Sequence, residues 1–302
     1  MGVQKSAFIA IVGRPNVGKS SILNRLLGQK ITIVSSKPQT TRNRIIGVYT
    51  KDDIQIVFID TPGLHKPHNS LGEYMVRSVR ESVGGVDACL LVAECDRLPG
   101  DTEKQLMARF SQQKIPAVLA LNKIDRLDDK SILMEKMAAY AQEYDFDDIV
   151  PVSAQTGSGM NDLLNALEKQ AGEGMHFFDD DALTDQPDRV LAGEIVREKI
   201  LRLTDKEIPH GAAVVVERFK QRDDSDITDV DATIYCERDG HKGILIGKGG
   251  AMLKKIGTYA RQDMERFFGC KINLRLWVKV KENWRDREDV LRTLGYDPSN
   301  FD

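Results

Sequence analysis

Cysteine is scarce and scattered in this chain. The 302 residues hold four, Cys89, Cys95, Cys236 and Cys270, with no CxxC pair and no histidine at metal-ligand spacing. That pattern excludes a disulfide-stapled fold and a structural zinc, and fits a reduced compartment. Long apolar runs are missing too. The longest, such as Ala88–Ala93, have strand length, whereas a membrane-spanning helix needs about 20 apolar residues. Met1–Ala7 has no basic stretch leading into an apolar one, so no secretory signal is expected. A cytoplasmic protein of about two domains, at about 150 residues each, is expected.

Large net charge is also absent, but the total of −3 conceals an asymmetry. Residues 241–287 contain twelve lysines and arginines against four acids, a local excess of eight positive charges. Such a block suggests a polyanionic partner, with a solvated helix face as the plainer alternative. An acidic cluster, Asp223, Asp224, Asp226, Asp229 and Asp231, lies just upstream.

From Ala7 to about Ala171, apolar runs alternate with amphipathic segments. Strands are expected at Phe8–Val12, Ile45–Tyr49, Gln55–Ile59, Ala88–Ala93, Ala117–Leu121 and Ile149–Val152. Helical patterns fall near 18–27, 70–83, 101–112, 130–143 and 160–170. Capping-box spacing appears at Ser70 with Glu73 and at Thr102 with Gln105. Wholly apolar strands alternating with helices indicate a mostly parallel sheet covered on both faces. A turn at Tyr49–Asp53 predicts one antiparallel edge. Residues 172–189 break the pattern with Gly, Pro and an acidic run, so a linker acting as a hinge is expected there between domains 1–171 and 190–302. The second domain reads α-β-β-α-α-β: a helix near 190–204, strands at 211–219 and 229–237, a short amphipathic turn, a helix at 251–268 and an alternating strand from Ile272 to Val280.

The segment Gly13-Arg14-Pro15-Asn16-Val17-Gly18-Lys19-Ser20-Ser21 contains GxxxxGK[ST] between a strand and a helix. In that context it reads as a phosphate loop, whose backbone N–H groups and helix N-terminus suit an anion. Lys19 can bridge β- and γ-phosphates, and Ser20 can ligate Mg²⁺. Asp60-Thr61-Pro62-Gly63 follows the third strand. The Asp60 carboxylate would hold a Mg²⁺-bound water, and the Gly63 N–H would sense the γ-phosphate. Asn122-Lys123-Ile124-Asp125 ends the fifth strand. A buried Asp125 carboxylate would accept from guanine N1–H and the 2-amino group, which adenine cannot match. Lys123 would lay its stem over the base, and a backbone N–H in the Ser153-Ala154 turn would meet guanine O6. The Thr/Ser-rich Gly28–Arg44 segment lies where a switch loop must cover the γ-phosphate, with Thr41 preferred over Thr40 as the second Mg²⁺ ligand.

The position directly after DxxG, where Ras-like enzymes keep a water-orienting glutamine, is Leu64. Hydrolysis then rests on Lys19, Thr41 and the Gly63 amide, with help from an ion or a partner, and a slow intrinsic rate is expected. His65, next to it and close to Pro67 and His68, reads as exposed loop. Asn16 would place its carboxamide toward a K⁺ ion beside the phosphates.

In the second domain, Gly247-Lys248-Gly249-Gly250 enters the helix at 251–268. It resembles the GxxG loop of KH domains, which clamps about four nucleotides of single strand. Ile246, Leu253 and Ile256 are expected as an apolar floor for bases, and Lys254, Lys255 and Arg261 as a phosphate rim. Trp277 and Trp284 suit either base stacking or packing.

GRPNVGKS, QTTRNR, DTPGL, NKID and VSA, joined to a KH-like module of the type II strand order, resemble the Era family within the TrmE–Era–EngA group of bacterial P-loop GTPases. The resemblance spans nearly the whole chain. It implies an α/β P-loop GTPase domain, mostly parallel with helices on both faces, and a smaller α+β type II KH domain. It also implies GTP/GDP and Mg²⁺ as ligands, the 3′ end of 16S rRNA as partner, a role in 30S subunit assembly and peripheral association with the inner membrane; a monomer is expected. From the residues alone, a GTP-driven switch and a constitutive RNA binder with structural GTP both remain open.

Overall fold

A computed structural model describes residues 3–37, 39–64, 67, 69–129 and 131–297. His65, His68 and the first residue of the 130–143 pattern fall outside these. The chain forms two compact units: Met1–Thr32, Thr41–Lys66 and Met75–Asp185 in the first, and Ile33–Thr40, Pro67–Tyr74 and Gln186–Asp302 in the second. No helix among the described residues is long and apolar enough to cross a membrane.

In the first unit β1 (Lys5–Val12), α1 (Lys19–Leu26), β2 (Ile45–Lys51) and β3 (Ile54–Asp60) are followed by α2 (Ser70–Val83), whose first turn groups with the second unit. Then come β4 (Ala88–Glu94), α3 (Asp101–Gln113), β5 (Ala117–Asn122), α4 (Ser131–Glu143), β6 (Asp148–Val152), α5 (Met160–Glu168) and the two-residue β7 (Gly172–Glu173). The sheet runs β2-β3-β1-β4-β5-β6, and β7 pairs with the start of β1. Only β2 and β7 run antiparallel to their neighbours. The β2–β3 turn uses Asp52 at φ 53°. The β4 and β5 side chains are almost all buried, as strands covered on both faces must be. The parallel order brings the carboxyl ends of β1, β3, β5 and β6 to one edge, where open α/β sheets take ligands.

Both capping expectations shift by a residue or two. Asn69, not Ser70, caps α2, its Oδ1 accepting from Gly72 N at 2.8 Å. Helix α3 begins at Asp101, and the Glu103 carboxylate reaches back to Gly100 N at 3.2 Å. Most of the expected linker packs on the first unit. Gln55 is fully buried in β3, and a buried amide needs partners. It finds them there: its Oε1 accepts from Phe177 N and Phe178 N at 2.7 and 3.0 Å, and its Nε2 donates to Phe178 O at 2.9 Å. Val48 N donates to Leu183 O at 2.9 Å. Residues through Asp185 therefore belong to the first unit.

The second unit contains α6 (Asp188–Leu203), β8 (Ala213–Gln221), β9 (Ile227–Cys236), α7 (Asp239–Ile246), α8 (Ala251–Phe268), β10 (Lys271–Val280) and α9 (Glu288–Thr293). Its sheet runs β10-β9-β8, with β9 parallel to β10 and antiparallel to β8. Val196 and Ile200 of α6, Val230 and Ile234 of β9, and Ile256, Ala260 and Met264 of α8 share one core. Trp284 is fully buried, donates from Nε1 to Gly211 O at 2.9 Å and stacks on Tyr296. Of the two tryptophans, Trp284 therefore serves packing.

Helix α6 carries more than the apolar stripe read from sequence. Arg197, Glu198 and Lys199 are buried as well, which is tolerable only because each is paired. Lys199 bonds Glu198 and Asp263. Glu198 accepts from Val34 N at 3.2 Å, and Arg197 donates to the carbonyls of Gln39 and Thr40. The segment Ile33–Thr40 is thus held on α6.

Across the sheet, Asp229 accepts from Arg222 at 2.7 Å and from Asn273 at 2.7 Å. Those bonds hold its carboxyl far below the usual carboxylate range. A depressed carboxyl pKa contributes stability above the unfolded value of about 3.9, and loses it as pH falls toward the folded value. Asp229→Asn should lower the melting temperature of the second unit at pH 7. In thermal melts the gap from the unsubstituted chain should narrow steadily below pH 4.

Candidate functional site

The loop from Gly13 to Ser20 joins β1 to α1. Gly18 sits at φ +106°, and a Cβ there would lie 2.2 Å from Asn122 Nδ2, so no other residue fits. Lys19 is buried, and its Nζ curls back to donate to Gly13 O at 3.1 Å and Arg14 O at 3.0 Å. Burial pulls its pKa down to about 8, against the pull of Asp60 in the other direction. Asp60, fully buried at the end of β3, is pushed up to about 6 by desolvation, with Lys19 and Ser20 opposing.

Ser20 Oγ donates to Asp60 Oδ2 at 2.6 Å and lies 2.9 Å from Thr41 Oγ1. Thr40 turns away, bonding Ser35 and Lys37 O. Asp60 Oδ1 is buried with no hydrogen-bond partner. Two hydroxyls and an under-satisfied carboxylate form the hard oxygen set that suits Mg²⁺. Thr61 Oγ1 donates to Ile11 O at 2.8 Å, and Pro62 is buried, so the turn after β3 is anchored. Gly63 passes so close to the phosphate loop that a Cβ would meet Pro15 Cα and N at 2.6 Å. Leu64 packs against the core around β4 and β5. Val17 is buried, Ser21 is half-buried, and Asn16 is exposed at φ 63°.

On the opposite side of the loop, Asn122 is buried, donates to Val17 O at 2.8 Å and accepts from Ala154 N at 3.1 Å. It ties the phosphate loop to the turn after β6. Of the Ser153-Ala154 turn, the Ala154 amide is engaged by this asparagine. Lys123 Nζ donates to Asn16 O at 2.7 Å and pairs with Glu94. Asp125 is exposed rather than buried, and one oxygen accepts from Ser153 Oγ, whose residue is fully buried. The helical turn at Ile124–Arg126 carries its carboxylate out at the rim.

Two acids escaped sequence reading. Glu94 is partly buried, which disfavours its charge, but Lys123 and Arg97 outweigh this and hold its carboxyl below the usual range. Glu103 is fully buried and pairs with Arg14 Nε at 2.5 Å, fixing the loop from α3. Neither lies in a recognisable motif; the only signal for Glu94 is its place at the end of a strand.

In the second unit, Gly247, Gly249 and Gly250 all take positive φ, at 73°, 59° and 80°. A Cβ at Gly247 would meet Met252 Cβ at 2.8 Å, whereas one at Gly249 faces open space. Beside this turn a groove of about 360 Å³ runs between α8 and β10, lined by Gly250, Leu253, Lys254, Gly257, Thr258, Arg261, Leu274 and Leu276. Leu253 lines this groove. Ile256 does not: it is fully buried in the core, and Ile246 packs half-buried against that core. Leu274 and Leu276 replace them, because alternate β10 side chains face α8. Lys248 and Lys255 are exposed near the groove without lining it.

The positive block divides by residue type. Arg261, Arg266, Arg275, Arg285 and Arg287 each pair with an acid of the same unit. The acidic cluster upstream is therefore partly consumed by arginines. Lys248, Lys254 and Lys255 have no carboxylate partner among the described residues, which leaves lysines to carry the free charge.

Residues 8–123 match the family model described as 50S ribosome-binding GTPase, and residues 207–285 match that of the KH domain. The chain is 49% identical to GTPase Era of Clostridioides difficile over 97% of its own length and 98% of that protein's. It is similar to the crystal structure of an Era variant of Aquifex aeolicus bound to GDP and AlF₄⁻, with TM-score 0.94 and 36% identity, covering 97% of this chain and 100% of that one. A structure of Era with MgGDPNP and nucleotides 1506–1542 of 16S ribosomal RNA is similar at TM-score 0.93 and 36% identity, over 97% and 99% of the two chains. With the GTPase model matched in its first part, the KH model in its second and an Era relative nearly half identical along almost its whole length, the chain belongs to the Era family of GTPases.

Proposed function

We propose that this chain is a GTP-hydrolysing switch that binds single-stranded RNA, with the 3′ end of 16S rRNA as target and 30S subunit assembly as its setting. The observation that carries the nucleotide half is the cluster of Ser20, Thr41 and Asp60 beside buried Lys19, with one Asp60 oxygen unpartnered. Lys19 lies along the phosphate loop, where its ammonium would contact β- and γ-phosphates in place of the Gly13 and Arg14 carbonyls. Ser20 and Thr41 would ligate Mg²⁺, and Asp60 would hold one of its waters. The ion would neutralise charge developing on the phosphates.

Leu64 packs half-buried against the core and carries no group that orients water. Positioning the nucleophile then falls to the Gly63 amide and to a cation such as K⁺ beside Asn16, which makes slow unaided hydrolysis the expected behaviour. Asp125 and Lys123 frame the base, with Asn122 and Glu94 holding their loops.

The RNA half rests on the groove between α8 and β10, its apolar floor, the GKGG turn and the unpaired lysines. The Era complex with 16S rRNA supports the choice of target. Coupling has a route in the chain itself: Ile33–Thr40 groups with the second unit and Thr41 with the first. Ligating Thr41 therefore pulls on a segment held by Arg197 and Glu198. A ligand shifts such an equilibrium only by its differential contacts.

Affinity for a 3′-terminal 16S rRNA fragment, measured with GDP and with a non-hydrolysable GTP analogue, should differ severalfold. Equal affinities would leave a constitutive RNA binder with structural GTP. Asp125→Asn should weaken GTP binding by roughly a hundredfold, through loss of two charge-assisted bonds. Because the carboxamide replaces one acceptor by a donor, the variant should prefer xanthosine triphosphate in competition titrations.

A further inference from the structure

We propose that the RNA path of the second unit continues round the outer edge of β10 to a second stacking position, where one further base lies on the indole of Trp277. This rests on the reading of the α8–β10 groove as the RNA site. Strand β10 is at the edge of its sheet, with β9 as its one neighbour. Its side chains alternate strictly. Leu274 and Leu276 face the groove, while Arg275, Trp277 and Lys279 project from the other side. A single strand leaving the groove at Leu276 has only the strand's edge to pass before meeting residue 277.

Trp277 is 43% exposed, an unusual state for the largest aromatic side chain. Its surroundings are cationic. The Arg275 guanidinium lies 6.0 Å from the ring centre, held in place by Asp231 at 2.6 and 2.8 Å. Lys279 and Lys281 have no carboxylate partner among the described residues, and Lys281 Nζ lies 5.5 Å from the ring of Tyr235, which pairs with Lys279 across the sheet. The neighbouring acids of β9 are engaged, Asp229 by Arg222 and Asn273, and Asp231 by Arg275. A flat ring with a paired arginine on one side and lysines without a carboxylate partner among the described residues on the other matches a base with its phosphates, the arrangement by which sequence-tolerant single-strand sites work.

The test is direct because the chain has two tryptophans and Trp284 is fully buried. Oligonucleotides of four and eight nucleotides from the 3′ end of 16S rRNA are titrated into the full-length protein, following affinity and tryptophan emission. The eight-nucleotide strand should quench emission, and the quenching should vanish in Trp277→Phe. Trp277→Ala should weaken the longer strand by about tenfold, leaving the shorter strand and GTP binding unchanged. Gly249→Asp should weaken both strands. Unchanged emission, or full affinity of Trp277→Ala for the longer strand, overturns the extension while the groove reading stands. Binding of neither strand by the unsubstituted protein overturns both.

Discussion

Burial of Lys19 at the start of α1 and Asp60 at the end of β3 is the constraint around which the first unit is organised. At pH 7 both charges are present, yet desolvation opposes each, lowering the lysine to about 8 and raising the aspartate to about 6. Both shifts therefore represent a penalty borne by the ligand-free fold near neutrality. An anion against Lys19 and a cation against Asp60 would relieve it. The backbone around them is fixed from three sides: Asn122 holds Val17 O, Thr61 holds Ile11 O and Glu103 holds Arg14. Rigid placement of poorly compensated charges is a preorganised electrostatic site.

The second unit solves the opposite problem, which is presenting charge without burying it. Its arginines are used internally, cross-linking β8, β9, β10 and the turn before α9 through Asp229, Asp231 and Glu237. The lysines of residues 241–287 have no carboxylate partner among the described residues and are kept for solvent, whereas Lys199 of α6 is buried and paired. The division follows their chemistry, since a planar guanidinium suits fixed bidentate pairing and a flexible ammonium suits a mobile phosphate chain. Net positive charge in the sequence thus overstates the charge available to a partner.

Much of this was legible in the residues. Every strand except the two-residue β7, and every long helix, follows from the apolar pattern, and the phosphate loop, DTPG and NKID follow from spacing. What escaped depends on partners distant in sequence. Residues 172–185 read as a polar linker, yet buried Gln55 needs their amides. Ile256 read as groove floor by helical spacing, but only the position of β10 decides that Leu274 and Leu276 take that role. Asp125 reads as buried only with a base against it, and the short helical turn that leaves it exposed has no sequence signal. Glu94, Glu103 and Arg197 belong to no motif, and their function is visible only through what they hold.

Thermal unfolding of the purified protein, with Mg²⁺ and a fixed excess of either GTP or ATP, tests the central claim most directly. The account requires GTP to raise the melting temperature by several degrees and ATP to leave it near the nucleotide-free value, since a ligand bound only by the folded state stabilises in proportion to its affinity. Equal stabilisation by ATP, or none by GTP, would contradict it.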